Sequence, residues 1–105
     1  MNYAVIFFAG AFLCNCIPHL GAGLQGMPFP TPFAKPRGIG NSSPLVNFLW
    51  GVFNLCVGLY LLSRQPVMIG PNASCFALIA GALAIGTYLS RHFGRVRATD
   101  RLVGR

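Results

Sequence analysis

Apolar residues fall in three long runs, and most polar and charged residues lie between or after them. The clearest run extends from Leu45 to Leu62, 18 residues without a charge. As a helix it would be roughly 27 Å long, close to the thickness of the hydrocarbon core of a bilayer. Ser43 is a good N-cap, and Pro44 then takes the first helical position, where a missing N–H costs nothing. This pattern predicts a membrane-spanning helix over about residues 44–62.

The other two apolar runs predict further spans over about residues 3–24 and 72–92. Pro18 interrupts the first run, and we expect it to bend the helix without breaking it, because neighbouring helices can satisfy the freed carbonyl. The third run is dense in small residues at four-residue spacing, which lets helix backbones approach closely in lipid. The chain is therefore predicted to be an all-α membrane protein with three transmembrane helices. We assign helix packing to four small residues: Gly51, Gly58, Ala77 and Gly81.

The composition supports a membrane environment. Only 9% of the residues are charged and 54% are hydrophobic, whereas an ordinary soluble domain has about 25% charged residues. A net charge of +7 can indicate nucleic-acid binding, but no basic residue lies inside the three apolar runs, the last of which ends at about Ser90. We therefore expect no nucleic-acid partner. We expect anionic lipid headgroups to contact five basic residues: Lys35, Arg37, Arg91, Arg95 and Arg97.

The charges also predict an orientation. We expect one transmembrane domain over residues 1–90 with a proline-rich loop at 26–43, extended and partly polyproline-like at its start, and a basic tail at 91–105. Loop and tail share one side and carry seven basic side chains, whereas the other side has only Arg64. The positive-inside bias then places the N-terminus outside and the C-terminus in the cytoplasm.

Polar residues inside the spans form one candidate site. Asn47 and Asn54 lie on one stripe of the second helix together with two glycines, and Asn15 and His19 are four residues apart in the first. Consecutive spans run antiparallel, so residues at the same depth in the membrane can be matched. Asn15 then pairs with Asn54, and His19 pairs with Asn47. Two interpretations remain open: the pairs hold the helices together, or they line the polar path of an oligomeric small transporter or channel.

Nothing in the chain indicates an enzyme or a cofactor. Cys14, Cys16 and His19 are close in sequence, but residues two apart on a helix point about 200° from each other, so the cysteines could not bind one ion unless the helix unwound. No known metal-binding, phosphate-binding or catalytic motif is present. We expect no metal, and we expect all four cysteines to be free thiols.

Residues 29–34, 42–44 and 47–54 resemble small bacterial inner-membrane proteins of unassigned function, and the resemblance extends over roughly residues 15–62. It implies a location in the bacterial inner membrane and no particular activity. From the residues themselves we expect a protein that acts through helix packing, as a homo-oligomer or as an accessory subunit of a membrane complex.

The seven-to-one charge distribution yields a test of topology. A reporter fused after Arg105 should be active if it requires the cytoplasm and inactive if it requires export. Activity of an export-dependent reporter at that position would contradict the three-span orientation.

Overall fold

The computed structural model describes residues 2–104 and is mostly helical. Its elements are α1 (Tyr3–Leu24), β1 (Phe29–Pro30), β2 (Asn41–Ser42), α2 (Pro44–Ser63) and α3 (Ala73–Val103). All three helices are long and apolar enough to cross a membrane. Helix α1 is continuous through Pro18, so this proline does not break it.

Each helix begins at a short polar side chain that accepts a hydrogen bond from the backbone of its first turn. Asn2, Ser43 and Asn72 are the three N-caps. At the start of α2, Ser43 Oγ accepts from the Val46 N–H at 3.2 Å, and Pro44 is the first helical residue. Capping satisfies N–H groups that have no partner within the helix, and it sets the beginning of α2 where the sequence predicts it.

Helix α3 extends beyond the predicted third span. The sequence predicts a span ending near residue 92, followed by a basic tail into which the helix can continue. The helix has 31 residues and continues to Val103, which makes it about 46 Å long. Its last turns pack against the segment that contains Phe29: the centres of the Phe93 and Phe29 rings are 4.6 Å apart, and Val96 is buried. The helix ends where Gly104 adopts a left-handed conformation.

The segment 26–43, hereafter the hairpin loop, contains a small antiparallel pairing that the sequence did not predict. Phe29 pairs with Ser42 and Pro30 with Asn41. Beside the pairing, the hydroxyls of Thr31 and Ser42 are buried 2.5 Å apart. The start of this segment is therefore extended, and a partner strand holds it.

Helix α1 lies between the other two helices. It packs against both α2 and α3, while α2 and α3 make almost no contact with each other. On the α2 side, glycines allow the close approach: a Cβ added to Gly51 would lie 2.8 Å from Leu20 Cγ, and one added to Gly58 would lie 2.6 Å from Leu13 Cγ. Gly51 and Gly58 thus face α1, as the stripe on α2 predicts.

The crossing of α1 and α3 also depends on two glycines. A Cβ on Gly81 would collide with the backbone carbonyl of Phe7, and a Cβ on Gly10 would collide with that of Leu78. The two backbones are therefore in direct contact, with one glycine from each helix. Of these, Gly81 was predicted and Gly10 was not; Ala77, the other predicted packing residue of α3, is half-buried.

Two glycines of the same helix provide a matched test of this crossing. Gly81→Ala should lower the free energy of unfolding by about 1–3 kcal/mol, because the new methyl group has no space between the backbones. Gly94→Ala in the same helix, where a Cβ would meet nothing within 4 Å, should be neutral or stabilising by up to about 1 kcal/mol through helix propensity. Unfolding from detergent micelles by sodium dodecyl sulfate measures both, and equal effects would contradict this crossing.

Candidate functional site

Two hydrogen-bonded pairs of polar side chains join α1 to α2. Asn15 Nδ2 donates to Asn54 Oδ1 at 2.9 Å, and His19 Nδ1 lies 2.8 Å from Asn47 Oδ1. These are the pairs that the depth comparison predicts. The structure therefore brings together all four candidate residues, within one chain and between neighbouring helices.

Asn47 has the largest set of partners. The side chain is fully buried, and its amide nitrogen lies 2.9 Å from the Phe29 carbonyl oxygen, 3.2 Å from that of Ser42 and 3.1 Å from that of Ser43. These carbonyls belong to the hairpin loop and to the cap of α2. Asn47 thus joins α1, α2 and the loop, and its contacts with the loop are not visible in the hydropathy pattern.

The contacts of Asn47 also determine the tautomer of His19. Since the Asn47 amide nitrogen faces three carbonyls, its oxygen must be the atom that faces His19. An amide oxygen only accepts hydrogen bonds, so the proton lies on Nδ1 of His19. In the neutral imidazole, Nε2 is then an acceptor, and it has no hydrogen-bond partner among residues 2–104.

A groove lies between α2 and α3, with α1 as its floor. It has a volume of about 390 Å³, and it exists because α2 and α3 do not pack against each other. Most of its lining is apolar or aromatic, and the hairpin loop contributes to one end. Its polar and ring-bearing lining residues include Asn15, His19, Trp50, Asn54, Tyr88 and His92.

Trp50 lines this groove and has a buried indole N–H without a hydrogen-bond partner. Its indole ring stacks on Phe53, with ring centres 5.5 Å apart, and lies edge-on to His19 at 6.4 Å. Within the part of the chain that the structure describes, Trp50 Nε1 is the one enclosed side-chain nitrogen or oxygen without a hydrogen-bond partner. Neither the position of Trp50 nor the groove follows from helix periodicity, so the sequence predicted neither.

His92 joins the hairpin loop to α3. Its Nε2 donates to the Gly38 carbonyl at 2.7 Å, and its ring stacks on Tyr88 at 5.8 Å. The loop and the end of α3 therefore lie at the same end of the helix bundle. His92 lies where the predicted third span and the predicted basic tail overlap, and the sequence predicted no role for it.

The five predicted headgroup-binding residues are all exposed. They belong to the hairpin loop and to the last turns of α3, so they lie at one end of the fold. One has a specific protein contact: the Arg97 guanidinium is 5.9 Å from the centre of the Phe29 ring, which suits a cation–π interaction. The set comprises Lys35, Arg37, Arg91, Arg95 and Arg97.

Over residues 2–104, no three His, Cys, Asp or Glu side chains are grouped to hold a metal ion. The four cysteines are unpaired, and Cys16 Sγ donates to the Leu13 carbonyl at 2.9 Å. No family model, curated protein or solved structure matches the chain.

The different numbers of partners of Asn47 and Asn15 lead to a prediction. Asn47→Asp keeps the shape and the acceptor for His19 but removes the donors to three carbonyls, so the free energy of unfolding should fall by about 2–3 kcal/mol. Asn15→Ala removes a single interhelical hydrogen bond and should cost about 0.6 kcal/mol. Unfolding in mixed micelles compares the two variants, and a larger loss for Asn15→Ala would contradict the central position of Asn47.

Proposed function

We propose that this is a small integral membrane protein that acts through helix packing, either as a homo-oligomer or as an accessory subunit of a larger membrane complex. The observation that carries the proposal is the pairing of its intramembrane polar groups inside one chain. Asn47 and Asn54 are 0% and 1% exposed, and both bond to α1. Groups of this kind stabilise a compact helical unit whose outer faces remain available.

The same observation favours packing over the alternative, an oligomeric transporter or channel lined by Asn15, His19, Asn47 and Asn54. A path through an oligomer needs polar groups that face an axis between chains, whereas these four face each other. Asn54 also donates to the Trp50 carbonyl at 2.8 Å. Two of the four, Asn47 and Asn54, thus have further partners within their own chain, and three helices alone enclose no pore.

The outer faces suit lipid or another helix. Large apolar side chains are exposed on all three helices, which is expected where the surrounding solvent is hydrocarbon and where association depends on close packing. Examples from each helix are Phe8, Leu49, Phe53, Phe76 and Leu83. We propose that a second copy or a partner subunit packs on part of this surface and that lipid covers the remainder.

We also propose the orientation and the location. The N-terminus lies outside, and the hairpin loop and the end of α3 lie in the cytoplasm beside anionic headgroups. Support comes from the seven-to-one charge distribution and from the His92 contact with Gly38, which joins the two basic segments at one end. The resemblance to small bacterial inner-membrane proteins supports a bacterial inner membrane, and we propose that the protein is not an enzyme.

Isolation from native membranes in lipid nanodiscs, followed by native mass determination, tests this function. Masses at whole multiples of the chain mass would show a homo-oligomer, and a stoichiometric second protein would show an accessory subunit. A lone monomer in native-membrane nanodiscs would contradict the proposal. Ion or solute flux through purified proteoliposomes that is lost in Asn15→Leu would favour the transporter instead.

A further inference from the structure

The groove between α2 and α3 has the size and lining of a small-molecule site. Its volume of about 390 Å³ falls within the range of about 300–1,000 Å³ that is usual for ligand pockets. Aromatic rings line it from each helix: Phe12 from α1, Trp50 from α2, and Tyr88 and Phe93 from α3. Such a lining suits a flat ring, because aromatic groups pair favourably edge-to-face or offset-stacked.

The floor of the groove presents a hydrogen-bond acceptor. His19 is only 3% exposed and lines the groove, and its Nε2 lacks a partner among residues 2–104. Trp50 Nε1 is the one fully enclosed side-chain nitrogen or oxygen without a partner in that range, so Nε2 of His19 is not fully enclosed. His19 lines the groove, and we infer that Nε2 is reachable from it. A ligand that satisfies this lone pair must donate a proton.

The neighbouring turn of α1 presents a hydrogen-bond donor. Asn15 lies four residues before His19 and thus on the same face of the helix. It is half-buried and lines the groove, and its amide nitrogen uses one of two protons to bond Asn54. The second amide proton has no acceptor among the described residues. A ligand oxygen could accept it.

We propose that this groove binds a bilayer-soluble ring compound that carries a hydroxyl group, of the phenol or quinol class. A hydroxyl both donates and accepts, so one such group can donate to His19 Nε2 while it accepts from the Asn15 amide. The ring then lies among the aromatic side chains of α2 and α3. Since these two helices do not close over the groove, the ligand enters sideways from the membrane. This site is additional to the packing role and does not depend on it.

The hydrogen-bonding chemistry of the site can be tested with two probes, one with a free hydroxyl and one in which this hydroxyl is methylated. The protein in nanodiscs is titrated with 4-pentylphenol and with its methyl ether, 4-pentylanisole, and the fluorescence of Trp50, the single tryptophan of the chain, reports binding. The phenol should give a saturable change. The ether cannot donate to His19 and should bind about tenfold more weakly, the value of one hydrogen bond. Equal affinity for the two probes, or no saturable change with the phenol, would overturn the proposal.

Two alanine variants test the location. Ala11 lines the groove, whereas Ala84 of α3 is exposed and does not. Ala11→Phe should fill the groove and abolish saturable binding of the phenol, and Ala84→Phe should leave it unchanged. Asn15→Leu removes the amide donor, and it should weaken binding of both probes, because the ether oxygen accepts that hydrogen bond as well as the phenol oxygen does. Binding of the phenol to Ala11→Phe with the affinity of the natural chain would place the site elsewhere.

Discussion

The structure depends on the need to satisfy buried carboxamides where water is scarce. An unpaired amide in an apolar environment costs several kcal/mol, so Asn47 and Asn54 require partners at their own depth. They find them in α1, and Asn47 also binds three carbonyls of the hairpin loop and the α2 cap. This requirement determines which face of α2 meets α1. It also ties the loop to the helices, since the loop carbonyls and the Asn47 amide satisfy each other.

Close backbone approach follows from the same arrangement. Short hydrogen bonds between Asn and His side chains require neighbouring helices, and Gly51 and Gly58 leave the space for Leu20 and Leu13 of α1. On its other side, α1 meets α3 through Gly81 in backbone contact. With both faces of α1 occupied in this way, α2 and α3 are held apart. The groove is thus a consequence of α1 being the central helix, and the polar floor of the groove is the edge of the α1–α2 interface.

Much of this could be read from the sequence because long apolar helices follow simple rules of length, depth and periodicity. Those rules predicted three helices and the pairs of Asn15 with Asn54 and His19 with Asn47. They could not show that α1 is central, because hydropathy does not order helices in space. They left open how far α3 extends into the basic tail, because arginines surround the apolar Phe93 and Val96, whose packing depends on the folded loop.

The loop contacts of Asn47 and the role of Gly10 were also beyond the sequence. Both depend on backbone atoms, the carbonyls of the hairpin loop in one case and that of Leu78 in the other. Side-chain patterns carry no information about where a backbone carbonyl will lie. The groove lining, including Trp50 and His92, combines three helices and a loop, and it emerges only once their arrangement is known.

Cysteine cross-linking tests the central claim, that the polar stripe of α2 faces α1 within one chain. In a background without the four native cysteines, Asn15→Cys combined with Asn54→Cys should form a disulfide readily, and the product should migrate as a monomer. Asn15→Cys combined with Leu55→Cys, which moves the second thiol to the next position around α2, should cross-link slowly. Equal rates for the two pairs would show that the stripe is misassigned, and a product that migrates as a dimer would show that it faces another chain.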